Sequence, residues 1–211
     1  MAKATPATLN AVQIRLVTVK KDTKLHRVHD LKYGGAAFNS SGKGDTRFSP
    51  LFEGGIAVPT MYAGENLDCA LMETIFHDVP FTNGPRRVRR SKIDSRAYSV
   101  LTTQVDIQLA DLTSIALRRM GISRTDIIET TAKKYPRTRE WAIAIRKASP
   151  SAQGFMWTSR QHDRQEAYVL FGDRLGDGAG KHVVAVQTTE RLESKISEVS
   201  DLAERLGVDL Y

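Results

Sequence analysis

Cysteine is almost missing from this chain: Cys69 is the only one in 211 residues, so no disulfide framework exists and a reducing, cytoplasmic compartment is expected. No run of eighteen uncharged apolar residues occurs, and the opening MAKATPATLNAVQ has no long apolar stretch of the kind a secretory signal carries. Neither a membrane span nor an export signal is therefore expected. Internal repeats and low-complexity tracts are absent too. Strand-like and helix-like segments come in groups without regular alternation, which favours an α+β fold over a doubly wound α/β one. A hydrophobic content of 41% over 211 residues supports one substantial core, and two domains would be cramped.

Several common chemistries are missing as well. The phosphate-loop pattern GxxxxGK[ST] and the nucleophile elbow GxSxG do not occur. Of the five histidines, His26, His29, His77, His162 and His182, only the first two are close together. Three positions apart on a strand, they would face opposite sides, so no metal site is expected. Cys69 lies inside a helical pattern with no histidine-and-amide set nearby, which argues against a thiol nucleophile. Acidic residues are the scarcer charge, leaving a formal net charge of +7. Much of that excess is local to PRRVRRSK, residues 85–92, read here as a solvated or partner-facing loop without regular structure. No aromatic residue interrupts the run, so a base-stacking platform is lacking and direct nucleic-acid binding is disfavoured against an acidic protein partner.

Along the chain, residues 12–19 and 25–28 read as strands separated by a charged turn, and 33–45 as a long glycine-rich loop leading to Arg47. Residues 56–62 form a further strand, with Pro59 pushing it toward a sheet edge or bulge. Asn66 is placed to cap a helix in which Leu67, Ala70, Leu71 and Ile75 make a buried stripe, and Glu73 falls about 60° outside that stripe, at the edge of the core. Residues 98–112 are extended, and 111–120 turn helical behind Asp111. Two short helices broken at Pro136 follow, the second burying Trp141. GFMWTS and EAYVLF pair as a hairpin through QHDRQ, 183–188 add a strand, and 190–206 close as an amphipathic helix with Leu192, Ile196, Val199, Ala203 and Leu206 inward.

Taken singly, the polar residues of these segments have ordinary explanations. Tyr62 packs at a strand end, Ser159 is a strand hydroxyl, Arg27 a surface charge, Trp157 core. In order, however, Arg47, Tyr62, Glu73 and a distant Trp-Thr-Ser strand form an unusual set. A guanidinium fork matches phosphate, a tyrosine ring faces a flat heterocycle, and a glutamate stabilises a sugar cation. A nucleotide with a labile glycosidic bond, such as NAD+, suits all three.

LHRV at 25–28, TRFSP at 46–50, MYAGENLDCALMETIFH at 61–77 and GFMWTSRQ at 154–161 together make the chain resemble the RES-domain toxins, over roughly residues 25–190. That resemblance implies a single domain similar to the ADP-ribosyltransferase fold, with a mixed central sheet and flanking helices. It divides the chain into an extension, 1–24, containing a first strand, a catalytic region, 25–190, and a C-terminal helix, 191–211, packed on the same domain. It implies Glu73, Arg47, Tyr62 and Ser159 as catalytic residues, with Arg47, Tyr62 and Arg27 binding substrate. NAD+ is then a substrate, with no true cofactor and no metal. A helix-turn-helix antitoxin is the implied partner, and a homodimer inside that complex is compatible with it. The family usually reads Gly-Gly-Arg-Trp-Asn where this chain has DTRFS, and the segment from Arg47 to Tyr62 is a few residues longer than usual. The rivals are an ADP-ribosyltransferase acting on one protein and a basic nucleic-acid-binding module built on residues 85–92.

Overall fold

The computed structural model describes residues 5–80, 84–175 and 183–211, and His182 lies outside them. In chain order come strands β1 (Leu16–Val19), β2 (Lys24–Asp30), β3 (Phe52–Glu53), β4 (Ile56–Ala57) and β5 (Thr60–Gly64), then helix α1 (Leu67–Met72). Next are β6 (Arg86–Val88), α2 (Ser91–Asp94), β7 (Arg96–Thr103), β8 (Ile107–Asp111), α3 (Ser114–Met120), α4 (Arg124–Ile127) and α5 (Tyr135–Ala148). The chain continues through β9 (Gly154–Thr158), β10 (Glu166–Phe171), α6 (Gly172–Leu175), β11 (Val184–Arg191), α7 (Ile196–Arg205) and β12 (Val208–Leu210). Eight strands join one mixed sheet in the order β1-β8-β9-β10-β5-β2-β7-β11, antiparallel throughout except for the parallel β8 and β9.

The sheet is continuous in name but nearly parted in the middle. β2 runs in register with β7 from Lys24 to Asp30, and β10 with β5 along the whole of β5, yet β2 and β5 meet only at His26 and Gly64. Side-chain alternation sorts the apolar residues accordingly. Met61, Met156, Tyr168 and Leu170 belong to a cluster with Leu25, Leu101 and Leu109 on one face. On the other face, Phe155, Trp157, Val169 and Phe171 join Phe48 and Trp141 of the incoming loop and α5. A separate cluster, Val28, Leu71, Phe76, Ile93 and Val199, fills the far side of the division.

α1 straddles the junction. Asn66 caps it as expected, Oδ1 accepting from the Cys69 amide at 2.9 Å, and Cys69, Ala70, Leu71 and Met72 are buried. The helix ends sooner than its apolar stripe suggests, at a point where the Thr74 hydroxyl donates back to the Ala70 carbonyl at 2.6 Å and competes with the helical ladder. The Thr74 amide bonds the Leu71 carbonyl, three residues back, so the regular i to i−4 ladder has ended there. Glu73 thus becomes the C-cap, while Ile75 and Phe76 still turn inward.

Four local expectations are corrected. Pro59 precedes the first residue of β5, where its missing N–H costs no rung, so β5 is an interior strand and not an edge. Pro136 sits in the first turn of α5, where a proline is tolerated, and α5 is one unbroken helix. The basic run is not a loop: β6 pairs in parallel with β12, α2 follows, and Val88 and Ile93 are buried while Arg87, Arg89, Arg90 and Lys92 stay exposed. The C-terminal segment divides into the end of β11, the helix α7 and the unforeseen β12, with Leu192, Val199 and Ala203 buried as expected. The remaining architecture is the expected α+β domain, a mixed central sheet with helices flanking it.

Gly64 has no room for a side chain: an added Cβ would stand 2.8 Å from the Ala70 amide nitrogen and 3.0 Å from Cys69 Cβ. Gly64→Ala is expected to destabilise the fold by about 1–3 kcal/mol through overpacking of α1 against β5. Gly34→Ala, with nothing within 4 Å of its added methyl, is expected to stay within about 0.5 kcal/mol of the parent. Urea denaturation of both variants checks the contrast.

Candidate active site

Where β2 and β5 separate, a cleft of about 270 Å³, counting its open mouth, lies beneath α1. His26, Arg27 and Val28 border it from β2, Tyr62 from β5, Glu73 and Thr74 from the end of α1, and Trp157 from β9. The short helix decides the position of Glu73. Because α1 stops at Met72, the C-cap residue is half-buried at the rim of the division and not on an outer helical face.

The carboxylate is held by Ser159, whose Oγ donates to Glu73 Oε1 at 2.6 Å. Ser159 follows β9 and is 1% exposed. The backbone amides of Gln161 and His162 both donate to its Oγ at 3.1 Å. With its acceptor side occupied twice, the hydroxyl proton is directed at the carboxylate. The hairpin predicted through QHDRQ supplies this geometry, since the Ser159 amide closes it by donating to the Gln165 carbonyl.

Tyr62 projects from β5 with its ring edge-on to Trp157, centroids 6.4 Å apart. Its hydroxyl accepts from the Phe48 amide at 2.9 Å and meets Thr46 Oγ1 at 3.0 Å. Thr46 Oγ1 donates to the Ser49 carbonyl, so Tyr62 is the donor toward Thr46. Burial pushes the phenol up to about 12, and it is neutral at ordinary pH. Tyr62 therefore does two things, flanking the cleft and fixing the backbone on both sides of Arg47.

Arg47 itself does not line the cleft. It is 6% exposed, and Nη1 donates to Thr130 Oγ1 at 2.7 Å and to the Ile127 carbonyl at 3.2 Å. Its guanidinium lies 5.5 Å from the centre of the Tyr135 ring. Burial lowers its pKa, opposed by Tyr135, Glu73 and Tyr62, so it stays within electrostatic reach of the carboxylate. Arg27 is half-buried, not a surface charge: Nη1 donates to the carbonyls of Gly35 at 2.7 Å and Ala37 at 2.8 Å, pinning the glycine-rich loop. Burial brings its pKa down to about 10, which leaves it cationic at neutral pH.

Among the described residues no cluster of three or more His, Cys, Asp or Glu could hold a metal ion. Cys69 is buried, and its thiol is pushed up to about 12, first by burial and then by Glu73, so no thiolate is available. Glu73, Ser159 and Tyr62 are thus gathered at one cleft, with Arg27 on its border and Arg47 behind the Tyr62 contacts. Sequence reasoning overlooked His26 and Thr74 as lining residues. The signal for His26 was available, as it precedes Arg27 on β2.

Tyr62→Phe keeps the ring but leaves the buried Phe48 amide without its acceptor. The expected cost is about 1–3 kcal/mol of stability, with faster hydrogen exchange confined to the Phe48 amide and its neighbours. Denaturation and residue-resolved exchange together check this outcome.

A family model described as the RES domain matches residues 24–193. The crystal structure of the M. tuberculosis MbcT–MbcA toxin–antitoxin complex contains a chain similar in fold, with a TM-score of 0.64 at 10% identity, covering 89% of this chain and 92% of that one. No curated protein matches in sequence. Among the described residues no helix is long and apolar enough to cross a membrane.

Proposed function

The chain belongs to the RES-domain family, and from that premise we propose that it is the toxin of a toxin–antitoxin pair and consumes NAD+ by cleaving the nicotinamide–ribose bond. The observation that supports this most is the Glu73 carboxylate, held by a buried serine hydroxyl at the rim of a cleft flanked by two aromatic rings. In the reaction the bond from ribose C1′ to the pyridinium nitrogen breaks, and the nitrogen keeps the electron pair and leaves as neutral nicotinamide. Positive charge then collects on the ribose ring. A carboxylate already oriented beside it stabilises that charge more than it stabilises the ground state, which lowers the barrier. An oxygen of water or inorganic phosphate completes the new bond at C1′.

The other parts fit the same substrate. The cleft is open to solvent at its mouth, so one end of a long ligand can enter it while the rest lies outside. It suits the nicotinamide riboside end of the dinucleotide, with the adenylate extending over the open mouth. Tyr62 offers a ring toward the nicotinamide, and Arg27 places a cation on the border for a phosphate. Arg47 acts through its field and through the Tyr62 segment. The MbcT–MbcA likeness supports an antitoxin as partner, with a helix-turn-helix protein as the reading.

Incubating the purified chain with NAD+, with and without phosphate, and identifying the products tests the reading directly. Release of nicotinamide with free ADP-ribose or its phosphate is expected. ADP-ribose attached to a protein would replace it with transferase activity, and no nicotinamide release would end it. Glu73→Gln preserves shape while removing charge, and its rate is expected to fall about a hundred- to a thousandfold. Nucleic-acid binding, were it the function, would weaken steeply with salt, whereas NAD+ turnover is expected to respond mildly.

A further inference from the structure

His26 stands on the single rung that joins β2 to β5, half-buried, and forms part of the cleft wall opposite Tyr62. Its Nδ1 lies 2.6 Å from the Tyr98 hydroxyl, and the two rings stack with centroids 5.9 Å apart at 23°. A phenol is a stronger acid than a neutral imidazole N–H, and an imidazole nitrogen is a stronger base than a phenol oxygen. A contact this short is accordingly Tyr98 O–H donating to Nδ1. The ring proton is then on Nε2, which has no partner among the described residues. Tyr98 thereby fixes both the tautomer and the ring angle, as an outer partner commonly does for a working histidine.

We propose that His26 is a substrate-binding residue of this cleft, a neutral donor whose Nε2–H hydrogen-bonds an oxygen of the bound dinucleotide, and that Tyr98 is the positioning residue that aims it. The inference rests on the NAD+ reading given above and deepens it. Its chemical logic concerns charge. The nicotinamide ring is cationic and the ribose becomes so, hence a donor beside them serves best without a charge of its own. Burial, followed by Lys24, lowers the His26 pKa and keeps the ring neutral, in keeping with that role. A neutral donor also adds directional preference for a ribose or phosphate oxygen over water filling the cleft.

Two substitutions separate the nitrogens. Asn at position 26 can reproduce the Nδ1 contact with Tyr98 but withdraws the donor from the cleft, whereas Gln reaches the Nε2 position. Steady-state kinetics of nicotinamide release are expected to show KM raised about five- to tenfold in His26→Asn, the worth of one directed hydrogen bond, with kcat nearly unchanged. His26→Gln is expected to recover only part of that loss, with KM between those of the Asn variant and the parent, because it returns a donor to the cleft without the Tyr98 contact. Tyr98→Phe is expected to raise KM by a smaller factor, because the donor is still present but no longer aimed. Equal kinetics for the Asn and Gln variants, or a larger loss with Gln, would overturn the proposal while leaving NAD+ cleavage intact. An unsubstituted chain that releases no nicotinamide would sink both readings together. Should His26→Asn fail to fold, the Gln and Tyr98→Phe variants decide the matter: a Gln variant more than tenfold impaired, or a Phe variant identical to the parent, overturns it.

Discussion

A single backbone rung between His26 and Gly64 determines how the rest of this molecule is arranged. Because β2 and β5 share no further pairing, the eight-stranded sheet opens at its centre, and the apolar residues of one face fall into two clusters instead of one. The opening has to be roofed, since exposed strand edges invite pairing with other chains. α1 provides the roof, and it can lie this close only because Gly64 has no Cβ to meet the Ala70 amide. Packing at one glycine thus fixes the depth of the cleft, and the position of Glu73 follows from the helix that the glycine admits.

The site is built mainly from polar groups bonded to backbone. Ser159 takes two amide donors before it donates to Glu73, Tyr62 takes the Phe48 amide, and Arg27 and Arg47 each donate to main-chain carbonyls. Backbone partners lose little mobility when a ligand arrives, so side chains tied to them are held in advance, the preorganisation that the proposed cleavage would call for. A carboxylate paired directly with an arginine would have much of its field cancelled. Here the direct partner is a neutral hydroxyl, and the guanidinium of Arg47 acts on Glu73 without a hydrogen bond to it. The arrangement leaves the carboxylate oriented yet electrostatically usable.

Local signals made part of this legible in the sequence. The Asn66 cap, the inward faces of α1 and α7, and the hairpin around QHDRQ depend on residues a few positions apart, and periodicity reports them well. Ordered motifs brought Glu73, Tyr62 and Ser159 into one reading, although nothing local says that Ser159 reaches Glu73 across 86 residues of chain. What escaped was set at long range or by competition. The basic run looks like a loop in the sequence because its partner strand is the C-terminal Val208–Leu210, and pairing of that kind leaves no periodic trace in either segment. Pro136 looks like a breaker in the sequence, whereas its position in the first turn of α5 depends on where Tyr135 docks. The early end of α1 coincides with a local side-chain bond, Thr74 to the Ala70 carbonyl, that apolar periodicity does not report. The resemblance makes Arg47 a substrate-binding residue, whereas its side chain turns toward Thr130 in a segment the sequence does not connect to it.

The charges around the cleft follow from burial as much as from residue type. Burial pushes the Tyr62 phenol and the Cys69 thiol up to about 12 and moves the His26 imidazole downward, so each of the three is neutral near pH 7. Arg27, down to about 10, remains a cation. Among the residues that border the cleft, that leaves Glu73 and Arg27 as the charged ones, and Arg47 acts on Glu73 from outside the lining. Neighbouring residues of a strand face opposite sides of the sheet, so at one point of β2 the neutral His26 imidazole and the Arg27 guanidinium, which donates to Gly35 and Ala37, are presented to different faces. The neutral groups therefore shape the cleft without adding charge to it, and the Glu73 carboxylate stands on the face that His26, Tyr62 and Trp157 share.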